Sequence, residues 1–224
     1  MKTRKLVIFG DSAFAEIAYE CFTHDSEYEV VGFSVESAYL TKSELFGLPI
    51  VPFEQIEEHF APGEIYFYAA LVYSQLNRLR TRLYQSAKAK GYKPANYISS
   101  RAFVWHNVEL GEHCFVFENN TLQPFVKIGN NVVLWSGNHI GHHSVVNENC
   151  FIASHVVISG FCNIGRNAFV GVNATLANNV TIGEDNWIGI GVTIVKDTEA
   201  NQLFKGEQPE PVKISATRFF KVKE

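Results

Sequence analysis

The sequence lacks the features of a membrane protein or a nucleic-acid-binding protein. No apolar run approaches the roughly 18 residues that a membrane-spanning helix needs. The short run near the N-terminus stops at Gly10, which indicates a first strand rather than a signal peptide. Basic residues are not in excess, since 19 Lys and Arg stand against 23 Asp and Glu, for a formal charge of −4. We therefore expect neither a nucleic-acid partner nor a membrane partner.

Cysteine is also scarce. Four cysteines occur among 224 residues, and three of them, Cys114, Cys150 and Cys162, fall at one place of the six-residue repeat described below. Small residues dominate that place, so we expect these thiols to fill space in a core rather than to form disulfides. The cysteine usage therefore predicts a reduced, cytoplasmic protein.

What the sequence has in abundance is a six-residue period. Every sixth residue from Ile98 to Ile194 is Ile, Leu or Val. Neither the 3.6-residue period of an α-helix nor the two-residue period of a strand explains this spacing. A period of six predicts a hexapeptide parallel β-helix, in which three hexads make one triangular coil and residues 18 apart stack. Glycine often follows the aliphatic residue, which we interpret as a corner where the backbone turns tightly.

The chain before the repeat alternates strands and helices. Its apolar patterns predict strands at residues 5–10, 28–35, 47–51 and 65–70, and helices at residues 14–22, 53–60 and 74–90. This alternation is typical of an α/β domain with a mostly parallel, Rossmann-like sheet. The predicted organisation is an α/β domain at residues 1–95, an all-β hexapeptide β-helix at residues 96–198 and a tail at residues 199–224 that packs back on the β-helix.

The loop after the first predicted strand occupies the place where a Rossmann-type fold receives phosphate. It reads Gly10-Asp11-Ser12-Ala13. A dinucleotide fingerprint has three glycines, but here Ser12 and Ala15 occupy the second and third places, which argues against NAD. Two interpretations stay open: an ordinary strand–helix turn, or a turn that binds the nucleotide part of a substrate.

The combination of this α/β domain with a hexapeptide repeat resembles the bacterial sugar acyltransferases of the sialic acid O-acetyltransferase type. That family includes N-acetyltransferases of nucleotide-linked 4-amino sugars in surface-glycan pathways. The matching segments are residues 6–10, 30–35, 47–51, 77–80 and 96–104, together with the repeat. The resemblance implies a left-handed β-helix, a homotrimer, acetyl-CoA in a groove between neighbouring prisms, and a nucleotide sugar held by the α/β domain.

His142, in the run Ile140-Gly141-His142, matches the place of the family's general base. The family commonly has an acidic residue next, where this chain has His143. It commonly has Asn seven residues earlier, where this chain has Trp135. A neutral imidazole suits proton removal from an attacking amine at neutral pH, and direct transfer needs no covalent intermediate. His143 as the base and a solvated corner role for His142 are the alternatives.

We expect an amine acceptor rather than a hydroxyl, because a base without an adjacent carboxylate is better suited to the stronger nucleophile. The expected acceptor site consists of the loop Gly10, Asp11, Ser12 and Ala13 together with Trp135 and His139. The resemblance places acetyl-CoA along the later coils, where Gly171, Asn173, Gly189 and Gly191 match the open corners that it needs. His155 is expected to line the same groove, with a plain surface role as the alternative. Lys196 and Lys205 are either point charges for the CoA phosphates or lysines on a solvated face.

Three other functions remain open. The first is O-acetylation of a sugar hydroxyl. The second is a zinc enzyme similar to the gamma-type carbonic anhydrases, because His106 and His142 are 36 residues apart and stack two coils from each other. The place of a third zinc ligand is taken by Asn147, so we expect no metal. The third is a non-catalytic nucleotide-sugar-binding protein.

Overall fold

The computed structural model describes residues 2–222, and the first part of these forms an α/β domain. Its strands are β1 (Arg4–Phe9), β2 (Tyr28–Val35), β3 (Glu44–Leu45), β4 (Leu48–Pro52), β5 (Ile65–Ala69) and β6 (Lys93–Pro94). Its helices are α1 (Ala13–His24), α2 (Ile56–His59) and α3 (Arg78–Ala89), with 3₁₀ turns at Ser37–Tyr39 and Phe53–Gln55. The four predicted strands are present. Strands β3 and β6 were not predicted because each has only two residues.

The sheet order is β3-β4-β2-β1-β5-β6, and all pairs are parallel except β3 with β4. Alternate residues of β1 enter two cores: Leu6 and Ile8 pack with α1, whereas Val7 and Phe9 pack with α3. Helices therefore cover both faces of the sheet. The strand order reverses between β1 and β5, and a crevice opens beyond the carboxyl ends of strands at such a point.

Helix α3 begins at Arg78, four residues later than predicted. The three residues before it, ending at Asn77, have left-handed φ values of 52°, 49° and 67°, which a right-handed helix does not include. This turn directs the Asn77 side chain to the second domain, where its Nδ2 donates to the carbonyl of Asn167 at 3.1 Å. The helix ends before Gly91, at φ +91°, as predicted.

The second domain is a triangular prism of two-residue parallel strands, stacked as in a left-handed β-helix. Face 1 consists of Tyr97–Ile98, Phe115–Val116, Val133–Leu134, Phe151–Ile152, Phe169–Val170, Trp187–Ile188 and Leu203–Phe204. Face 2 consists of Phe103–Val104, Thr121–Leu122, His139–Ile140, Val157–Ile158, Thr175–Leu176 and Thr193–Ile194. Face 3 consists of Glu109–Leu110, Lys127–Ile128, Val145–Val146, Asn163–Ile164 and Thr181–Ile182. The second residue of each strand is the predicted aliphatic one, and most of these form one buried core.

The glycine that follows the aliphatic residue serves close stacking of coils, so the corner interpretation is wrong. A Cβ added at Gly165 would lie 2.5 Å from the backbone nitrogen of Glu184, and one at Gly171 would lie 2.8 Å from the carbonyl carbon of Gly189. At the corners, left-handed backbone recurs every six residues in other residue types, chiefly the Asn that tolerates it best. These residues are His113, Asn119, Phe125, Asn131, His143, Asn149, His155, Phe161, Asn167, Asn173, Asn179 and Asp185.

The α/β domain packs on face 1. Phe14 and Phe22 of α1 share a core with outward residues of this face such as Phe115 and Phe151. The fully buried Arg80 of α3 adds a polar anchor, since its Nε donates to Asn131 Oδ1 at 3.1 Å. Its Nη2 donates to the carbonyls of Asn131 and Asn149 at 3.2 and 3.1 Å. Burial lowers the pKa of this guanidinium to about 10.

The tail packs on the prism less than predicted. Leu203–Phe204 adds one strand to face 1, but residues 207–222 are exposed throughout, including the short helix α4 (Ala216–Phe219). Pro209 and Pro211 lack the N–H groups that would continue the ladder. Among residues 2–222, no helix is long and apolar enough to cross a bilayer.

Candidate active site

His142 and His143 lie together on the edge between faces 2 and 3. Both are exposed, and their Nδ1 atoms are 3.2 Å apart. The backbone N–H of His142 donates to Gln123 Oε1 at 2.9 Å. Below the imidazole of His142 lies Gly160, where an added Cβ would come within 2.9 Å of the ring carbon Cε1. The absence of a side chain at Gly160 therefore makes room for the His142 ring.

His143 is held between two phenyl rings of the same edge. Its centroid lies 4.5 Å from that of Phe125 and 4.9 Å from that of Phe161, at interplanar angles of 27° and 18°. These three residues are 18 positions apart, so the stack follows directly from the coil period. The sequence predicted the pairing of the histidines but did not identify this stack.

A large cleft lies on face 1, and we call it the face 1 cleft. It has a volume of about 720 Å³ between the outward side chains of face 1, the α/β-domain residues Val72 and Tyr73, and the start of the tail at Lys205. Three predicted residues line it, namely Trp135, Gly189 and Lys205. Three further lining residues are chain neighbours of predicted ones. Ser154 precedes His155, Val172 lies between Gly171 and Asn173, and Ile190 lies between Gly189 and Gly191.

Trp135 lies elsewhere than predicted. It was expected in the acceptor site with Gly10, Asp11 and Ser12, but it does not line the crevice that these three residues share. It is half-buried on face 1, with its ring 5.2 Å from that of Phe14 in α1 and 4.3 Å from that of Phe117. The cause is its register: Trp135 follows the strand Val133–Leu134 and so points outward from face 1, which the α/β domain covers. Its position makes it a wall of the face 1 cleft.

The two predicted lysines share a second cleft at the end of the prism. This end cleft has a volume of about 550 Å³, and Lys196 and Lys205 both line it. Lys205 also lines the face 1 cleft, so it stands where the two clefts meet. Two exposed ammonium groups at one end of an apolar groove suit the binding of phosphates.

A third cavity occupies the crevice at the carboxyl ends of β1, β2 and β5. It has a volume of about 390 Å³, and the predicted loop residues Gly10, Asp11 and Ser12 line it. The predicted Ala13 does not line it, because it is already the first residue of α1. The crevice also contains Ser34, whose buried Oγ has no hydrogen-bond partner within the described part of the chain.

Glu36 follows β2 and lines the same crevice as Arg82 of α3. The Arg82 guanidinium donates to both carboxylate oxygens of Glu36, at 2.7 and 2.8 Å. The sequence did not single out Ser34, Glu36 or Arg82. Glu36 stands where a Rossmann-type fold places its ribose-binding acid, so this signal was present at the end of the second strand.

The four histidines of residues 139–155 do not form one cluster. His139 is the outward residue of its face 2 strand, and His155 lies on the edge between faces 1 and 2, where its ring covers Gly137. His142 and His143 lie on the opposite edge of face 2. In residues 2–222, no group of three or more His, Cys, Asp or Glu side chains has a geometry that would hold a metal ion.

The six-residue period and the triangular prism of stacked parallel strands are the features of a hexapeptide repeat. Residues 125–160 match the bacterial transferase hexapeptide family (six repeats), which confirms the repeat for that segment, including the His142 edge. A search of curated proteins finds no match.

Solved structures match nearly the whole chain. A variant of perosamine N-acetyltransferase from Caulobacter crescentus, in complex with CoA and GDP-perosamine, has a TM-score of 0.81 at 24% identity, covering 90% of this chain and 93% of that one. WeeI from Acinetobacter baumannii has a TM-score of 0.70 at 17% identity, with 91% and 97% covered. The acetyltransferase domain of PglB from Neisseria gonorrhoeae, in complex with acetyl coenzyme A, has a TM-score of 0.64 at 20% identity, with 93% and 99% covered. The chain shares its two-domain fold with these proteins.

Proposed function

We propose that this protein is an acetyl-CoA-dependent N-acetyltransferase of a nucleotide-linked amino sugar, with a 4-amino-4,6-dideoxy sugar as the expected acceptor. The perosamine N-acetyltransferase that shares this fold is solved with CoA and GDP-perosamine, and this pair of ligands supports the proposal. The observation that carries the proposal is the set of three separate elements on one chain: an exposed imidazole, a long apolar cleft with lysines at its end, and a crevice at the sheet switch point.

The face 1 cleft suits the pantetheine arm of acetyl-CoA. Its walls are mainly apolar, including Trp135, Phe169 and Trp187, which a thin, largely apolar chain can contact along its length. Lys205, which lines both this cleft and the end cleft, and Lys196, which lines the end cleft, supply cations for the phosphates. The remaining proposed contacts, at His155, Gly171, Asn173, Gly189 and Gly191, lie along the same side of the prism.

The crevice suits the nucleotide of the acceptor. Helix α1 begins at its wall, and the N–H groups of its first turn favour an anion there. The Oγ of Ser34 offers a hydrogen bond that no residue from 2 to 222 uses. Glu36 and Arg82 present a carboxylate and a guanidinium side by side, a pair that suits hydroxyl and base-edge contacts.

The prism also supports a homotrimer. Face 1 is covered by the α/β domain, and face 3 presents polar side chains such as Lys127 and Thr181. Face 2 and its edges expose apolar side chains, namely Phe103, Trp105, Phe125, Val157, Phe161, Val172, Ile190 and Val195. A neighbouring chain would remove this surface from water.

A trimer would also complete the site. The face 1 cleft opens at the edge between faces 1 and 2, through Val172 and Ile190, whereas His142 lies on the edge between faces 2 and 3. Within one prism these two edges are separated by the width of face 2. Packing face 2 against a neighbouring prism brings the cleft edge of one chain toward the His142 edge of the next.

In this site the acceptor amine attacks the thioester carbonyl. A C–N bond forms and the C–S bond breaks, so the acetyl group moves to nitrogen and CoA leaves as the thiol. Nε2 of His142 takes the proton that the amine loses, and such a general base typically contributes ~10²–10⁴-fold. Because acetyl-CoA and nucleotide sugars are cytoplasmic metabolites, we place the protein there.

The test is a thiol-release assay with acetyl-CoA against a panel of GDP-, UDP- and dTDP-linked 4-amino sugars, each paired with its 4-hydroxy counterpart. We expect CoA release with at least one amino sugar and a product that gains one acetyl group by mass spectrometry. Release with the hydroxy sugars alone would replace the proposal by O-acetylation. Release with none would exclude it.

A further inference from the structure

The contact between His142 and His143 restricts where their protons lie. Two imidazole nitrogens at 3.2 Å share one hydrogen, so one Nδ1 donates and the other accepts. If Nδ1 of His142 carries the hydrogen, its Nε2 has a free lone pair and the ring is a base. If Nδ1 of His143 carries it, Nε2 of His142 bears the hydrogen in the neutral ring and accepts nothing. The tautomer of His143 therefore decides whether His142 can act.

The surroundings hold His143 in one orientation. Phe125 and Phe161 stack on its two sides, and its backbone N–H donates to the carbonyl of Pro124 at 3.1 Å. Its backbone is left-handed, with φ 58°, like that of the other residues in this column. The ring cannot leave the stack without exposing two phenyl faces, and in this position its Nδ1 faces Nδ1 of His142 at 3.2 Å.

No carboxylate takes part in this arrangement. Within residues 2–222, the hydrogen bonds of the two side chains involve only each other, and no ion pair includes either. The residues that pack against the pair are Gln123, Phe125, Gly160 and Phe161, which are all uncharged. The group that faces Nδ1 of His142 is thus a second imidazole, at the place where the family resembled by the sequence commonly has an acidic residue.

We infer that His143 is a positioning residue: its neutral imidazole accepts the Nδ1 hydrogen of His142 and so keeps Nε2 of His142 free to take the proton from the acceptor. This inference rests on the proposed function. During transfer the proton adds to Nε2 of His142, and the Nδ1 hydrogen stays in the bond to His143, which then stabilises the imidazolium. His143 keeps its own hydrogen on Nε2 and takes up no proton, which distinguishes this role from that of a base.

The corner column supplies matched substitutions. The left-handed corner position that His143 occupies is taken in other coils by Phe125 and Phe161, with φ 65° and 58°, and by Asn179, with φ 63°. His143→Phe therefore preserves the stack and the backbone while removing the acceptor. His143→Asn removes the ring but places an amide oxygen at the same number of bonds from the backbone as Nδ1. His143→Asp places a carboxylate there.

We expect His143→Phe to lower kcat by ~10–100-fold, the usual effect of losing a group that orients a reactive side chain, with little change in KM for acetyl-CoA. His143→Asn should restore most of this loss. His143→Asp should be active and should shift the acid limb of the pH–rate profile to higher pH, because an anion favours the imidazolium of His142.

Wild-type kcat in His143→Phe would overturn the inference. Equal losses in the Phe, Asn and Asp variants, with an active His142→Ala enzyme, would also overturn it and make His143 the base. A second readout does not depend on activity: ¹⁵N NMR of the imidazoles should show His142 protonated at Nδ1 in the wild type and should lose this preference in His143→Phe. An Nε2-protonated His142 in the wild type contradicts the inference even if transfer is observed. The expected NMR result with no CoA release would instead count against the proposed function alone.

Discussion

Nε2 of His113 accepts a hydrogen bond from the backbone N–H of Ala69 at 2.8 Å, so the end of β5 is joined to a corner of the prism. Nδ1 of the same ring contacts Asn131 Oδ1 at 2.9 Å, which defines Nδ1 as its protonated nitrogen. The ring is fully buried and stacks on Tyr68, with centroids 4.5 Å apart. A second proton on His113 would face the N–H of Ala69 and break this connection between the domains.

His113 should make stability depend on pH above the range of carboxylate titration. Burial lowers the pKa of His113 to about 3, and the cations of Arg80 and Lys88 add to this, against the hydrogen bond to Asn131. An unfolded imidazole titrates near 6.5, so below that pH only the unfolded chain takes up this proton and stability falls as pH falls. The loss approaches ~1.4 kcal/mol per pH unit until about pH 3.

Urea unfolding at pH 7 and pH 5 measures this slope. His113→Gln, which cannot titrate, should be less stable at pH 7 but should lose about 2 kcal/mol less than wild type between these two pH values. Equal slopes in the two proteins would show that His113 is not the group responsible.

His142→Ala should lower kcat by ~10²–10⁴-fold if Nε2 of His142 receives the acceptor proton. KM for acetyl-CoA should change little, because the proposed CoA contacts are made by the residues that line the face 1 cleft, and His142 is not one of them. The matched control is His106→Ala on the same edge, two coils away, which should keep wild-type kcat. Retention of more than about a tenth of wild-type kcat in His142→Ala would be too much for a lost general base.

Ser12→Trp should impair binding of the nucleotide sugar alone. Ser12 lines the crevice at the start of α1, and an indole there would occupy space that the nucleotide needs. We expect KM for the nucleotide sugar to rise by about tenfold or more, equivalent to ~1.4 kcal/mol, with KM for acetyl-CoA unchanged. Glu20→Trp, exposed two turns further along α1, is the control. Equal increases in both KM values would count against the assignment of the crevice.

Face 2 should hold the trimer together. Sedimentation should give a species of three times the 25.2 kDa chain mass. Val157→Lys replaces an exposed apolar side chain of face 2 by a charge, and an unpaired charge buried at an interface costs about 3 kcal/mol or more, on the order of 10²-fold in Kd. Thr181→Lys, at the equivalent outward place of a strand on the polar face 3, should leave the trimer intact. A monomeric wild-type protein at micromolar concentration would exclude this assembly.

The repeat could be predicted from the sequence because the prism has a strict local rule. Each hexad turns one side chain inward, so the aliphatic residues from Ile98 to Ile194 mark the core without knowledge of any distant contact. The same rule places His142 and His143 on an edge. Their neighbours Phe125 and Phe161 could have been found by counting 18 residues in each direction.

Other features could not be predicted because they depend on how the two domains pack. His113 occupies the same kind of corner as His143, yet one is fully buried under the α/β domain and the other is exposed. The contact of Trp135 with Phe14 of α1 depends on the same domain packing. The sequence shows which face of the prism a residue is on, but not which face the other domain covers.

The last prediction concerns the glycines. If close stacking of coils requires them, Gly165→Ala should be costly although its φ is not left-handed, because the new Cβ would lie 2.5 Å from the backbone nitrogen of Glu184 and 2.6 Å from the carbonyl carbon of Gly183. Backbone atoms of a packed coil cannot move aside as a flexible side chain can, so we expect a loss of about 1–3 kcal/mol or more. Gly47 is the opposite case, since its φ is +72° and nothing lies within 4 Å of an added Cβ. Gly47→Ala should cost only the ~1–2 kcal/mol of a left-handed alanine. Thermal unfolding of both variants compares the two causes directly. A Gly165→Ala protein as stable as wild type would return these glycines to the role of simple turn residues.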